Sequence, residues 1–145
     1  MKQASSNEAL IRFPSCSANE GFARATAACF VAQLDPTLEE VNDIKTAVSE
    51  AVTNCIVHAY PDAVGPVELS AEVKGENQLV VTVADKGVGI ENLERAMQPM
   101  YTTGSPDERA GLGFAVMKTF MDEVKVRSRP GKGTRVTLIK YIRSR

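Results

Sequence analysis

One stretch constrains this chain more than any other: Asp43-Ile-Lys-Thr46-Ala-Val-Ser-Glu50-Ala-Val-Thr-Asn54-Cys-Ile-Val-His58-Ala-Tyr60. Thr37 and Glu40 have the spacing of a capping box, and Pro61 stops the helix that follows. Val41, Ile44, Val48, Ala51, Val52, Cys55 and Ala59 recur at helical spacing and form one apolar face, so this helix must lie on a core. Glu50, Asn54 and His58 sit four apart and form a separate stripe. At about 100° per residue, Glu50 lies roughly opposite the apolar face. A solvated surface accounts for such a stripe. Val57 beside Glu50 makes that face less than wholly polar, and a carboxylate one turn before a carboxamide suits proton transfer and hard-cation ligation. The helix alone leaves both readings open.

A chain of 145 residues holds one real core, so a single domain over 1–145 is expected. With 43% apolar and 24% charged residues, the composition is that of a globular protein. A net charge of −1 lacks the electrostatic signature of a nucleic-acid binder. No apolar run approaches the roughly 18 residues of a membrane span and no signal peptide opens the chain, so a cytoplasmic protein is expected. Cys16, Cys29 and Cys55 lack CxxC spacing and read as reduced, mostly buried thiols. His58 is the only histidine, which excludes a multi-His metal site. No GxSxG elbow supports a Ser-His-Asp triad.

The remaining elements follow in order. Glu8 to Phe13 alternates as a short strand, with Ala9, Ile11 and Phe13 on one side. Ser17-Ala-Asn-Glu20 reads as a second capping box, opening a helix to about Gln33 with Phe22, Cys29 and Phe30 toward the core. Glu20 and Arg24 form an i,i+4 pair, by spacing a weak surface ion pair. Val67–Val73 and Leu79–Ala84 form a hairpin around Lys74-Gly75-Glu76-Asn77. A short helix covers Glu91 to Met97, Pro99–Ala110 reads as a mobile loop, and Leu112–Met121 as a helix. Val124–Arg129 and Thr134–Tyr141 close the chain as a hairpin. The order β-α-α-β-β-α-α-β-β points to an α+β two-layer sandwich: one mixed sheet with helices on one face.

Four short motifs carry chemistry. The first is Glu50-x-x-x-Asn54. Asp85-Lys-Gly87-Val-Gly89 follows a strand directly; its glycines permit close backbone approach, and its acid can accept from an exocyclic amine, though alone it reads as a tight turn. Gly111-Leu-Gly113 lies where loop meets helix, and N–H groups at a helix start bind phosphate. Gly131-Lys-Gly133-Thr134 is not a P-loop, because GxxxxGK(S/T) is absent and a strand follows it, and neither the Gly87/Gly89 nor the Gly111/Gly113 pair is a Rossmann fingerprint, since the third glycine and the βαβ context are missing.

These motifs, in this order over most of the chain, resemble the ATP-binding superfamily of gyrase, Hsp90, histidine kinases and MutL. Asn19-Glu-Gly-Phe-Ala-Arg24, Ala32-Gln-Leu-Asp-Pro36, Val48-Ser-Glu-Ala-Val-Thr-Asn54, Gln98-Pro-Met-Tyr-Thr-Thr103 and Glu108-Arg109 narrow the likeness to the anti-sigma F family of spore-forming bacteria, small serine kinases. The resemblance implies a protein that binds a sporulation sigma factor and uses Mg-ATP to phosphorylate a serine of an anti-anti-sigma factor. It implies ATP/ADP and Mg²⁺ as cofactors and a homodimer, paired through the first strand and the helix carrying Arg24, with no direct nucleic-acid or membrane partner.

Carried onto the matching positions, Glu50 becomes the general base and Asn54 the Mg²⁺ ligand. Asp85, supported by Thr134, binds the adenine amine, and Gly87 and Gly89 shape the base pocket. Thr102, Thr103, Gly111 and Gly113 hold phosphates under a lid, in which Arg109 neutralises charge on the transferred phosphoryl. Glu20 and Arg24 move to the partner-binding face. The chain departs from some relatives in carrying Gly104-Ser105 where a lysine is expected. His58 reads as a pocket-edge or structural residue rather than a phosphoacceptor, since no separate dimerisation helix carries it.

Three alternatives stand beside the serine kinase. A stress-response kinase differs only in its sigma partner. An ATP-gated binding module has no need of a base such as Glu50. A water-activating ATPase normally needs a transducer domain, for which 145 residues leave no room.

Overall fold

Helix formation near the middle of the chain begins at a reciprocal cap. Glu40 N–H donates to the Thr37 hydroxyl at 3.1 Å, and Thr37 N–H donates to the Glu40 carboxylate at 2.9 Å. The structure, a computed structural model, describes residues 6–97 and 106–143. Its elements are β1 (Ser6–Pro14), α1 (Ala18–Val31), α2 (Leu38–Asn54), β2 (Pro66–Lys74), β3 (Gln78–Asp85), α3 (Leu93–Ala96), α4 (Pro106–Phe120), β4 (Glu123–Arg129) and β5 (Gly133–Tyr141). The sequence reading matches this order.

The strands form one sheet in the order β1-β2-β3-β5-β4. Every neighbouring pair is antiparallel, which corrects the expected mixed sheet. Both hairpins are local, and the chain reaches β5 from β3 by way of α3, α4 and β4, so no parallel crossover is needed. Period-2 alternation puts Val67, Leu69, Ala71 and Val73 of β2 and Leu79, Val81 and Val83 of β3 on the buried face. The helices cover that face, and the α+β two-layer sandwich stands.

Helix α2 lies in the middle of the covering layer and buries Ile44, Ala47, Val48, Ala51 and Val52. It does not continue as an α-helix to Tyr60: Cys55–Ala59 form a π-helical turn. Cys55 and Ala59 are buried as expected.

Helix α1 differs from expectation. Its buried stripe is Ala23, Ala27 and Val31. Phe22 is 51% exposed, Cys29 is exposed and Phe30 only partly buried. Small residues win because α1 packs closely on α2, where a phenyl ring does not fit between backbones. Phe22 instead packs edge-on against Phe13 with ring centroids 6.3 Å apart. Nor does Ser17 cap the helix with its side chain; its φ/ψ are already helical, and Glu20 turns to Arg24. Of the three thiols only Cys55 is buried, which corrects the expectation of mostly buried cysteines.

Helix α4 starts at Pro106, six residues before the expected start at Leu112, so residues 106–110 of the expected loop are helical. Ser105-Pro106-Asp107-Glu108 has the composition of a helix start, with proline at the first position and acids in the first turn. Low apolar periodicity hid that signal.

Ala27→Leu overpacks the α1–α2 contact and is expected to cost about 1–3 kcal/mol of stability in urea unfolding. Phe22→Ala, at a half-exposed position, is expected to cost less, and the reverse order would overturn this account of the α1 interface.

Candidate functional site

The polar stripe of α2 does not face open water. Glu50 and Asn54 are partly buried, and α4 passes over them with its glycine. A Cβ at Gly113 would lie 3.2 Å from both Asn54 Nδ2 and Oδ1 and 3.3 Å from Glu50 Oε2. Gly113 therefore lies inside α4, not at a helix start as the sequence suggested, and its missing side chain is what lets α4 approach the pair. Asn54 Nδ2 is buried with no hydrogen-bond partner among the described residues. Such an orphaned donor costs about 1–3 kcal/mol, so the pair is shaped for a polar occupant. Burial raises the Glu50 carboxyl above its ordinary value, and the negative charge of Glu20 adds to the effect.

The proximity of Glu20 was not visible in the sequence. Arg24 Nη1 donates to Glu20 Oε1 at 2.9 Å and to the Ser49 hydroxyl at 3.3 Å. Glu20, Arg24, Ser49 and Glu50 border one groove of about 420 Å³ between α1 and α2. The i,i+4 pair and Glu50 thus share a surface. Ser49 was missed, and its position next to Glu50 in α2 was the only hint.

A second constellation gathers around Asp85 at the end of β3. Its Oδ1 accepts from Gly87 N–H at 2.9 Å and from Thr134 N–H at 3.1 Å. Its Oδ2 accepts from the Cys55 thiol at 3.4 Å. One carboxylate thereby joins β3, the glycine turn, the β4–β5 hairpin and the π-helical turn after α2. Burial pushes Asp85 up, and the bonds from Gly87, Cys55 and Thr134 pull it partly back. The Cys55 thiol is pushed well above its ordinary value by burial first and by the Asp85 carboxylate second.

Glycines make the approach possible. Gly89 (φ +75°) and Gly133 (φ +101°) adopt conformations that side chains disfavour. A Cβ on Gly133 would fall 2.2 Å from the Asp85 carbonyl oxygen, and one on Gly89 2.1 Å from that of Arg129. The Thr134 hydroxyl is turned to Ser128 Oγ at 2.8 Å, so Thr134 meets Asp85 through its backbone. Tyr60, Cys55 and Ser128 were missed as members of this cluster. Tyr60 OH accepts from Lys86 N–H at 2.7 Å, and Ser128 Oγ accepts from Ile90 N–H at 2.8 Å. By its spacing Cys55 belongs only to the core, and nothing in the spacing marks Ser128.

The structure therefore collects Glu50, Asn54 and Gly113 in one place, Asp85, Gly87, Gly89 and Thr134 in a second, and Glu20 and Arg24 beside Glu50. Arg109 and Gly111 fall on α4 by their backbone, while their side-chain surroundings, with Thr102 and Thr103, lie outside the described residues. Among the described residues no three His, Cys, Asp or Glu side chains form a metal cluster.

The model of the histidine kinase-like ATPase domain matches residues 13–140. The chain is 57% identical to the anti-sigma F factor of Thermoanaerobacter sp. (strain X514), over 92% of this chain and 93% of that one. It is 53% identical to the anti-sigma F factor of Pasteuria penetrans over 95% and 93%, and 52% identical to that of Clostridium kluyveri (strain ATCC 8527 / DSM 555 / NBRC 12016 / NCIMB 10680 / K1) over 95% and 96%. In fold it is similar to the crystal structure of the RsbU and RsbW domains of Rv1364c from Mycobacterium tuberculosis. The TM-score is 0.69 at 20% identity, covering 94% of this chain and 32% of that one.

The raised Asp85 carboxyl sets a pH dependence. The folded state holds this proton more tightly than the unfolded state. Stability from this group is therefore fully present below the unfolded carboxylate pKa of about 3.9 and is lost as pH rises through the higher folded value. Asp85→Asn keeps an oxygen for both N–H groups and is expected to remove that decline. The measurement is the difference between wild-type and variant urea midpoints across about pH 3–7, and parallel profiles would contradict the assignment.

Proposed function

The chain belongs to the histidine kinase-like ATPase family and, within it, to the anti-sigma F factors, and from that premise we propose that it is a sporulation sigma-factor antagonist that also phosphorylates a serine of its anti-anti-sigma factor with Mg-ATP. The observation that carries the kinase reading is the groove in which Glu20 and Arg24 stand beside Glu50. A protein docked along Glu20 and Arg24 would present a hydroxyl to a carboxylate whose proton affinity burial has raised. Such a base works nearer to neutral pH than an ordinary glutamate does.

The residues fit a nucleotide. The orphaned Asn54 amide and the close approach at Gly113 supply a polar seat for phosphates and their cation. Mg²⁺, when bound with ATP, supplies positive charge against the phosphate oxygens. Asn54 would ligate it, and Asp85 would take the adenine amine on the oxygen that Cys55 also reaches. Gly87 and Gly89 would keep the base pocket open, with Thr134 holding the Asp85 carboxylate in place. Thr102, Thr103 and the Gly111–Gly113 segment would close on the phosphates once the turn of α4 that holds these glycines opens to free its N–H groups, with Arg109 offsetting charge on the transferring group. In the reaction Glu50 takes the serine proton as the oxygen attacks phosphorus in line, and ADP leaves.

Residues 1–145 would act as one unit and in pairs. β1 is an edge strand with Leu10 at 62% exposure, and α1 beside it exposes Phe22, which together suit the homodimer the family likeness implies. Among the described residues no helix is long and apolar enough to cross a membrane. A cytoplasmic setting follows from the proposed partner, a sigma factor.

Incubation with Mg-ATP and the anti-anti-sigma protein, read by mass spectrometry, is expected to give phosphoserine. Glu50→Gln is expected to slow it by about 10²–10⁴ while ATP still binds. No phosphoserine from wild type despite tight ATP binding would overturn the kinase and leave an ATP-gated sigma-binding module. Pull-downs with sporulation and stress-response sigma factors separate the two partner classes.

A further inference from the structure

The face of the sheet away from the helices is not neutral. Arg12, Glu68, Ala84, Arg135 and Arg127 are successive cross-strand partners on β1, β2, β3, β5 and β4. At about 4.8 Å per strand, this row spans roughly 19 Å. Ala84, the one small side chain in it, forms a hollow flanked by long ones. The result is a groove of about 510 Å³ bordered by Arg12, Lys86, Arg127, Arg129, Lys132 and Arg135. A chain of net charge −1 has concentrated six cations there.

Two acids line the groove, fewer than its six cations. Glu68 is taken by Arg12, whose hydrogen bond and charge hold its carboxyl below the ordinary range, with Lys86 and Arg135 adding to the effect. Asp85 is turned to two N–H groups and a thiol. Arg127, Arg129, Arg135, Lys86 and Lys132 have no ion-pair partner among the described residues. Arg127 and Arg135 stand directly opposite each other across β4 and β5, an arrangement that repels and destabilises a bare sheet.

We infer that this groove is a second binding site, for a small ligand carrying two or more adjacent phosphate groups. The groove borders the proposed adenine pocket, sharing Asp85 and Thr134 with it, but the inference does not depend on phosphoryl transfer. Its volume lies within the roughly 300–1,000 Å³ of small-ligand sites. Facing guanidinium groups suit bidentate contact with phosphate oxygens. Other occupants fit less well. The lining holds no aromatic ring on which a single-stranded nucleic acid could stack. Pro66 and Ala84 are its only wholly apolar side chains, too little for the apolar centre of a protein interface. A second copy docked through the same row would bring like charges together.

The test is a titration of the ¹⁵N-labelled full chain with sodium tripolyphosphate, at low salt and without Mg²⁺. Shifts centred on Arg127, Arg129, Lys132 and Arg135 and a rise in the thermal midpoint are expected. Arg127→Gln with Arg135→Gln is expected to weaken binding at least tenfold. Without ligand that double variant is expected to be no less stable than wild type at low salt, which separates lost binding from misfolding. Shifts confined to Glu50, Asn54, Gly113 and the Asp85–Gly87–Thr134 cluster, or no shifts, would overturn the site. Tighter binding at the same residues by a hexaglutamate peptide or an oligonucleotide would replace the small phosphate ligand with an acidic protein or a nucleic acid. Dimerisation lost in the double variant would replace it with a second copy.

Discussion

The Asp85 carboxylate is the tie on which the site depends. It ends the central strand β3 and binds two backbone N–H groups and one thiol from three other segments. A buried carboxylate without such partners would be expelled or protonated. With them, it fixes how the β4–β5 hairpin and the glycine turn meet the end of α2. The same arrangement leaves Asp85 Oδ2 with one weak donor, so a polar ligand can share it. Three segments are held by one carboxylate, and the glycines at 89 and 133 let backbones come close enough for it to reach them.

A comparable tie sits at the other end of the sheet. Lys140 is a buried cation on β5, and its Nζ donates to the Phe120 carbonyl at 2.7 Å and to Asp43 at 3.2 Å. It locks the end of α4 and the first turns of α2 to the strand. The two ties hold opposite ends of the helical layer, with the apolar core between them. Glu50 and Asn54 lie on the span of α2 between these anchors, so their placement is inherited from rigid elements.

Much of this was legible because particular residues had a single plausible use. Thr37 with Glu40 had a helix to cap, and the alternation through β2 and β3 had one face to bury. Ser17 with Glu20 looked the same in sequence, yet Glu20 had a stronger partner in Arg24, and a charge-assisted bond displaced a cap. The aromatic residues of α1 were misassigned because hydrophobicity does not report how closely two helices approach; Ala23 and Ala27 carry that information only once α2 is beside them. The start of α4 was hidden by polar residues that suit loops and helix starts alike. Of the site, the acids and glycines were visible through their motifs. Cys55, Ser49 and Ser128 were not, because a hydroxyl or thiol acquires its partner only when distant segments meet.

The antiparallel sheet also has a consequence for how the chain is made. β1 is synthesised first but pairs only with β2, so Phe13 must wait for Val67. At about 5–20 residues per second, that is roughly 3–10 s with a β-strand exposed and unpaired. Leu10, Ile11 and Phe13 form an aggregation-prone run during that interval. Glu8, Arg12 and Pro14 interrupt it with charge and with a residue that cannot extend a ladder. Arg12 thus carries its charge unpaired through that interval and meets Glu68 only when the sheet forms.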